Sequence, residues 1–275
     1  MSELNELDKF MAKQTSKSAL TQKQYRLQYN KLHKLLGKDI SDSSEEFIIK
    51  TIDEITNANT LQATLNIAIM VRKMEELGID KLIKRRDKTK DKINVDRRDK
   101  NVILDASLPS YDDLIQYMEH LYTIKRYEDF IINYLLIFFN TRNQDLSFKI
   151  VSKNADAKDK QFNYLIVSHA GKITFVRNNY KTADTYGTKV NSIEDDKFKV
   201  AARAMKKEYL NDFMIKPEEI QYKVRKATLD KIGEANYNKI VVNHFREDFD
   251  KLATISKNRG TNLETIKEYY DIKDQ

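Results

Sequence analysis

This sequence contains very few residues that can break a helix. Only six glycines and two prolines occur among its 275 residues. Because these two residue types interrupt helices most strongly, their scarcity predicts a fold made mainly of long helices. Hydrophobic residues make up 40% of the chain and charged residues 33%, which is typical of a globular protein rather than of a disordered or membrane chain. The length fits one large domain or two modest ones.

The first 83 residues show helical periodicity in three segments. Thr21 is predicted to cap the first helix and Gly37 to end it. The apolar positions between them recur at helical spacing: Tyr25, Tyr29, Leu32 and Leu36. The other segments are SSEEFIIKTIDEI and NTLQATLNIAIMVRKMEEL, the second of which ends at Gly78. Residues 1–83 are therefore predicted to form a small bundle of three or four helices.

A strongly charged segment follows this bundle. Residues 84–100, KRRDKTKDKINVDRRDK, contain nine basic and four acidic side chains and almost nothing apolar. The pattern predicts a basic linker over residues 84–103 between two domains. It is either a solvated charged loop or a strap joining domains that close around a nucleic acid. The net charge of the whole chain, +7, is compatible with a polyanionic partner.

Residues 104–275 combine helices with a short stretch of strands. LPSYDDLIQYMEHLY predicts a helix after Pro109, and YEDFIINYLLIFFNT is apolar around nearly its whole circumference, so it is predicted to be buried. FKIVS, FNYLIVS and KITFVRNNY are short, β-branched and aromatic, which predicts a small antiparallel sheet. Helices resume at DDKFKVAARAMKKEYL, with Pro217 at a helix start and Gly233 and Gly260 at breaks. The predicted fold class is mainly α with a small antiparallel β-sheet, an α+β arrangement.

Several kinds of chemistry are excluded by composition. The chain has no cysteine, which removes disulfides, thiol nucleophiles and thiolate metal sites and fits a reducing compartment. The four histidines have no close metal-ligand spacing, so neither a metal nor a cofactor is expected. The longest apolar stretch, residues 134–139, is too short to span a bilayer. The sequence predicts a soluble intracellular protein with no membrane partner.

Two cations in the second half are candidates for phosphate chemistry. Arg142, in TRNQDL, follows the predicted buried helix, where its planar fork could face a phosphate with Asp145 orienting it. The alternative role is a cation at a helix C-terminus. Lys181, in NNYKTADTYGTKV, lies on a predicted hairpin turn ending at Gly187, from which a lysine can protonate a leaving oxygen. Most lysines on hairpins are simply solvated.

Further candidates lie toward the C-terminus. Tyr222 and Arg225, in QYKVRKATLDKI, are three residues apart and share a helix face. A second arginine would stabilise the charge that grows on a phosphodiester during in-line displacement; otherwise it is a surface cation beside an aromatic ring. Tyr269 and Tyr270 end the segment NRGTNLETIKEYY. A tyrosine becomes a nucleophile only where cations stabilise its phenolate or a base removes its proton, and a C-terminal tyrosine pair is more often packing.

This order of residues resembles the tyrosine recombinase/integrase family of DNA breaking-rejoining enzymes. The resemblance covers nearly the whole chain, and its most specific motifs are R-x-x-D-L at Arg142, NYKT at Lys181, and LETIKEYY near the C-terminus. It implies an N-terminal helical core-binding domain at residues 1–83, the basic linker at 84–103, and a catalytic domain at 104–275. In that family the two domains form a clamp around double-stranded DNA.

The resemblance also implies roles for individual residues. Arg142 and Arg225 would clamp the scissile phosphate, and Lys181 would protonate the 5′ oxygen. Tyr270 would attack and leave a 3′-phosphotyrosyl bond, with no metal or nucleotide involved. Tyr270 is preferred to Tyr269 because of its distance along the chain from Gly260. When Gly260 is aligned with the glycine of the family's tail motif, Tyr270 falls at the position of the nucleophile, and Tyr269 is one residue too early.

The sequence departs from the family pattern at two positions. Tyr222 stands where His or Lys is common, and Thr261 stands where the family has His or Trp. Both side chains can donate a hydrogen bond to a phosphate oxygen, but neither is a good acid or base near neutral pH. Three functions therefore stay open: a site-specific recombinase or integrase of a phage, virus or other mobile element; a type IB topoisomerase; and a catalytically degenerate fold that only binds DNA. A recombinase would assemble as a dimer to tetramer on its DNA.

Overall fold

A computed structural model describes residues 5–270 of the chain. It divides into two compact units, and the boundary falls between Lys100 and Asn101. Each unit has its own cluster of buried apolar side chains. None of the helices in the described range combines the length and the apolar character that crossing a bilayer requires.

The first unit is a helical bundle, as predicted, but with five helices rather than three or four. Its helices are α1 (Glu6–Ala12), α2 (Ala19–Leu36), α3 (Glu45–Ile52), α4 (Ala58–Met74) and α5 (Asp80–Asp105), the last of which continues past the unit boundary. The apolar faces of α2, α3 and α4 form the core, where Leu32, Ile48 and Leu65 are fully buried.

The ends of α2 test the predicted start and stop. Gly37 ends the helix with φ 70° and ψ 7°, as predicted. The predicted N-cap Thr21 is wrong, because the Ser18 hydroxyl accepts from the Thr21 backbone N–H at 3.2 Å and the helix begins at Ala19. Serine caps helices at least as well as threonine. Ser18 precedes Thr21 by three residues, and the residues between them are helical.

The charged segment expected to be a linker lies within α5. Residues 80–105 form one continuous helix, because no glycine or proline lies between Gly78 and Pro109 and the segment is rich in lysine and arginine, which favour helices. Asp80 precedes Lys84 by four residues, the favourable order on a helix surface. Residues 84–103 are therefore not a loop. The assignment of the units as core-binding and catalytic domains stays a prediction.

The second unit surrounds one buried helix with seven others and a sheet. Its helices are α6 (Tyr111–Thr123), α7 (Tyr127–Phe139), α8 (Ala183–Tyr186), α9 (Asp196–Tyr209), α10 (Ile220–Ala227), α11 (Gly233–His244), α12 (Phe249–Arg259) and α13 (Leu263–Tyr270). Helix α7 is the buried centre, as its apolar circumference predicts, and it packs against α6, α9, α10 and α11. Its buried Asn133 donates to the Ala227 carbonyl at 2.9 Å, which ties α7 to the end of α10.

The sheet of the second unit has four strands in the order β1-β2-β3-β4. They are β1 (Phe148–Val151), β2 (Asn163–Val167), β3 (Ile173–Arg177) and β4 (Lys189–Ile193). The mainly α fold with a small sheet is thus confirmed, but the sheet is mixed rather than antiparallel. Strands β1 and β2 pair in parallel, because the connection over residues 152–162 is long enough to return the chain to the same end of the sheet. Strand β4 was not predicted.

Candidate active site

Arg142 is fixed by the turn that follows α7. Asn140 ends α7 in the left-handed conformation (φ 48°, ψ 41°), which asparagine adopts more readily than most residues. The backbone N–H of Arg142 then donates to Asp145 Oδ2 at 3.1 Å, across a 3₁₀ turn over Asn143–Leu146. The carboxylate of Asp145 therefore orients the backbone at Arg142, whereas the sequence analysis expected it to orient the side chain.

The guanidinium of Arg142 reaches the end of α12. Its Nη1 donates to the Arg259 carbonyl oxygen at 2.6 Å, where a cation also interacts favourably with the helix C-terminus. Burial and the nearby charge of Arg259 lower the pKa of Arg142. Within residues 5–270, Arg142 Nη2 has no hydrogen-bond acceptor, so this nitrogen can still donate to a ligand.

Arg259 connects this arrangement to Tyr270. Its side chain is only 2% exposed, and Nη2 donates to the Tyr270 hydroxyl at 2.7 Å and to Glu234 Oε1 at 2.9 Å. Nη1 donates to the Asn140 carbonyl at 3.2 Å, and the guanidinium carbon lies 4.6 Å from the centre of the Tyr270 ring. A cation hydrogen-bonded to a phenol oxygen stabilises negative charge on that oxygen. Arg259 is therefore a cation in direct contact with the Tyr270 hydroxyl.

A buried ion pair between Arg177 and Asp145 holds the turn that follows Arg142. Arg177, at the end of β3, places Nη1 3.4 Å from Asp145 Oδ2 and 2.9 Å from the Asn258 carbonyl. Both side chains of the pair are 1% exposed. Burial raises the pKa of Asp145, while Arg177 opposes that shift. Arg177 Nε and Asp145 Oδ1 are buried without a partner in the described residues, so this pair is imperfectly satisfied.

Lys189, the first residue of β4, contacts the C-terminal end of α12. Its Nζ donates to the Lys257 carbonyl at 2.6 Å and to the Asn258 carbonyl at 3.1 Å. It also lies 4.6 Å from the centre of the Tyr180 ring. Burial, followed by the positive charge of Arg177, lowers the pKa of Lys189 to about 8. A lysine with such a pKa is a better proton donor near neutral pH than an ordinary surface lysine.

Three predicted site residues make no hydrogen bond to this centre within the described residues. Lys181 is exposed in the β3 to β4 connection, and its neighbour Thr182 donates to the Gly260 carbonyl at 2.7 Å. Tyr222 is 69% exposed on α10. Arg225, also on α10, donates from Nε to the Lys231 carbonyl at 3.3 Å. Helix α10 itself packs against the 3₁₀ turn that follows Arg142.

The predicted residues near the C-terminus lie next to Arg259. Thr261 follows the α12 cap, where its N–H donates to the Ser256 carbonyl and its carbonyl accepts from the Ser256 hydroxyl. Tyr270 is half-buried at the end of α13. The side chain of Tyr269, the alternative nucleophile, lies outside the described part of the structure. The structure therefore links Arg142 to Tyr270 through Arg259, and it places Thr261 two residues from Arg259.

Sequence reasoning missed Arg177, Arg259 and Lys189. Arg177 and Arg259 are buried, which is uncommon for arginine, and each ends an element whose own pattern gives no reason to single out its last residue. Lys189 begins the strand that was not predicted. The one available signal was the position of Arg259 directly before Gly260, the glycine used to align the tail motif.

Comparisons with known proteins include a similarity to a solved structure. No family model matches the sequence, and no curated protein matches it. Among solved structures, the chain is similar to the crystal structure of XerA recombinase, with 12% sequence identity and a TM-score of 0.39. That similarity covers 98% of this chain and 94% of the other. The function is therefore inferred from the geometry of the site and from the motifs in the sequence.

Proposed function

We propose that the protein cleaves and rejoins double-stranded DNA through a phosphotyrosyl intermediate, with Tyr270 as the nucleophile. The observation that carries this proposal is the chain of contacts from Arg142 to Arg259 to the Tyr270 hydroxyl. Cations around a phenol satisfy the condition under which tyrosine becomes nucleophilic. Arg142 would hold the scissile phosphate through its free Nη2, and Arg225 would provide the second guanidinium once DNA is bound.

The proposed step exchanges one ester for another. Tyr270 Oη attacks the phosphorus, the bond from phosphorus to the 5′ oxygen breaks, and a 3′-phosphotyrosyl ester remains. The phenolic proton passes to water, and the departing 5′ oxygen takes a proton from a lysine ammonium. A 5′ hydroxyl of a second DNA end then attacks the phosphotyrosine and releases Tyr270. Because one ester replaces another at each stage, the reaction needs no external energy source.

Two lysines can act as the acid in this scheme. Lys181 is assigned by resemblance, whereas Lys189 is supported by its position and by its pKa of about 8. A substrate with sulfur in place of the scissile 5′ oxygen separates them, because a thiolate leaves without protonation. Substituting the true acid by alanine should slow cleavage of ordinary DNA by roughly 10² to 10⁴-fold and leave cleavage of the sulfur substrate nearly unchanged. The other lysine should show no such difference between the two substrates.

A nicked suicide substrate tests the nucleophile. The short fragment that carries the new 5′ hydroxyl diffuses away after cleavage, so the covalent adduct accumulates and is counted on a denaturing gel. Wild type and Tyr269→Phe are expected to form the adduct, and Tyr270→Phe is expected to form none while still binding the DNA. An adduct that survives in Tyr270→Phe would refute this assignment.

A second candidate function is DNA binding without catalysis. It is favoured by the exposed Tyr222 and by Arg225, whose Nε is engaged by the Lys231 carbonyl rather than directed to the Arg142 centre. Intact DNA binding with no adduct in the wild type would establish this candidate. Relaxation of supercoiled plasmid by the monomer, without joining of separate duplexes, would instead identify the type IB topoisomerase activity. Joining of two duplexes by a dimer or tetramer would identify a recombinase.

A further inference from the structure

A cavity of about 470 Å³ opens beside the turn that carries Arg142. Its walls come from that turn, the start of β2, the segment after β3, the segment after α9 and the start of α10. The aromatic rings of Phe162 and Phe213 form one side of it, 5.6 Å apart and at 76° to each other. The residues lining it in the described structure include no acid, base or histidine. The cavity is thus built for an uncharged ligand.

The cavity is unusually rich in side-chain amides, and these divide into two groups. Asn163 and Asn179 are occupied by the protein itself: Asn163 Oδ1 accepts from the Asn179 N–H at 2.8 Å, and Asn179 Oδ1 accepts from Gln144 at 2.6 Å. Asn143 and Gln221 also line the cavity, and their side chains make no hydrogen bond in residues 5–270. Asn143 Oδ1 is buried without a partner. A buried unpaired acceptor is costly, so a ligand that donates to it gains affinity.

We infer that this cavity binds one unpaired nucleobase of the DNA substrate. A base is flat, uncharged and edged with both donors and acceptors, which aromatic rings and amides match. The cavity can hold one base with its sugar but cannot admit a stacked base pair within a duplex, so its occupant has left the stack. The absence of a lining cation in the described residues argues against a free nucleotide, whose phosphates would need one inside.

The position of the cavity connects it to the proposed reaction, on which this inference rests. Asn143 directly follows Arg142, the candidate phosphate ligand, and Gln221 directly precedes Tyr222 on α10. A DNA backbone held at Arg142 therefore presents its attached base to the neighbouring wall. Lys149 Nζ lies 3.6 Å from the centre of the Phe162 ring and adds positive charge outside the cavity. The site would select DNA that is locally unpaired near the cleavage point.

Binding of a bulged duplex tests this inference with the full chain. Fluorescence anisotropy compares a fully paired 30-base-pair duplex with one carrying a single unpaired nucleotide. The wild type should bind the bulged duplex roughly tenfold more tightly, an effect in the range expected when two side-chain amides hydrogen-bond the edge of one base. The double variant Asn143→Ala/Gln221→Ala should bind both duplexes equally and keep the wild-type affinity for the paired one. Gln116→Ala, which removes an exposed helical amide on α6, should keep the preference.

The outcomes separate this inference from the proposed function. Equal affinity of the wild type for both duplexes, or a preference that survives in the double variant, would overturn the inference. Competition by free deoxynucleoside monophosphates at micromolar concentration would also overturn it, because the site would then belong to a nucleotide. Adduct formation on the nicked substrate does not require the cavity, so the strand-transfer proposal would stand if the adduct forms and the preference does not. Unfolding curves of the variants confirm that they remain folded.

Discussion

Arg142 and Arg259 each donate a hydrogen bond to a backbone carbonyl that positions the other arginine. Arg142 holds the carbonyl of Arg259, and Arg259 holds the carbonyl of Asn140 two residues before Arg142. The charge of Arg259 is shared between Glu234 and Tyr270, so the tyrosine hydroxyl lies beside a cation that is already partly neutralised. A phosphate arriving at Arg142 would therefore enter a site whose cations are held in place beforehand, which is what charge stabilisation in a transition state requires.

The ion pair between Arg259 and Glu234 should contribute strongly to the integrity of the second unit. Removing one partner of a buried pair leaves an uncompensated charge, so Arg259→Met is expected to lower the free energy of unfolding by about 3–5 kcal/mol in urea denaturation. Arg126→Met is the matched control, because Arg126 pairs with Asp129 at the surface and is expected to cost about 1 kcal/mol or less. Equal losses in the two variants would show that the buried pair is not coupled as the structure indicates.

Lys189 should make stability depend on pH in a defined window. Its pKa in the folded protein is about 8, below its ordinary value of 10.5, so the folded state binds its proton less well than the unfolded state. The unfolded state therefore holds more protons between pH 8 and 10.5, and stability rises with pH across that window. The melting temperature of the wild type minus that of Lys189→Met should accordingly increase from pH 8 to 10. A flat difference would show that Lys189 has an ordinary pKa.

At the residue level, the sequence motifs named Arg142 and Tyr270 but not the buried Arg259 that contacts both. Arg142 and Tyr270 belong to motifs with recognisable spacing and lie at one centre. The interior partners are fixed by tertiary contacts instead: Arg259 lies 117 positions from the arginine that holds its carbonyl, and no local pattern encodes that distance. Whether Lys181, Tyr222 and Arg225 join this centre on DNA stays a prediction.

Among the elements, the turn between α12 and α13 brings Arg259 and Tyr270 together. Gly260 makes this turn with φ 61° and ψ 56°, a conformation that most residues with a Cβ adopt at a cost. A Cβ added at Gly260 would lie 2.5 Å from Thr182 Oγ1 and 2.9 Å from Lys189 Nζ. The close approach of the β3 to β4 connection therefore depends on a glycine at this position.

Substitution of Gly260 should separate backbone strain from crowding. Gly37 ends α2 in the same left-handed region and has no atom within 4 Å of an added Cβ, so Gly37→Ala measures the backbone term alone, about 1–2 kcal/mol. Gly260→Ala should cost about 1–3 kcal/mol more, because the added methyl also displaces packed groups. Urea denaturation compares the two, and equal costs would mean that the β3 to β4 connection moves aside freely.

The sequence predicted the elements where local pattern and tertiary environment agree. Helix α7 is apolar all round and is buried, and the first three strands are β-branched and lie in the sheet. Strand β4 was missed because its sequence, KVNSI, is mostly polar and only Ile193 of its five residues is buried, so the strand depends on its pairing with β3. The parallel pairing of β1 and β2 is decided by the connection between the two strands. Strand propensity carries no information about that connection.

Across the whole molecule, positive charge is concentrated in one helix. Residues 84–100 of α5 carry nine basic and four acidic side chains, which is five of the seven net positive charges of the chain. Some of these cations form ion pairs within the protein: Arg85 pairs with Asp53, and Arg86 pairs with Asp87. Lys84, Lys88 and Lys92 are exposed and make no ion pair in the described residues. Their spacing of four residues places all three on one face of the helix.

This row of lysines should set much of the salt dependence of the proposed DNA binding. If the protein contacts six or more phosphates, its affinity should fall roughly a thousandfold or more between about 50 and 200 mM salt, because each contact releases counterions. Replacing Lys84, Lys88 and Lys92 by glutamine should reduce the slope of log affinity against log salt by about 2–3, whereas arginine at the same positions should preserve it. Both variants keep long helix-favouring side chains, so a difference between them reports charge alone. An unchanged slope in the glutamine variant would place the phosphate contacts elsewhere, and a flat slope in the wild type would contradict DNA binding altogether.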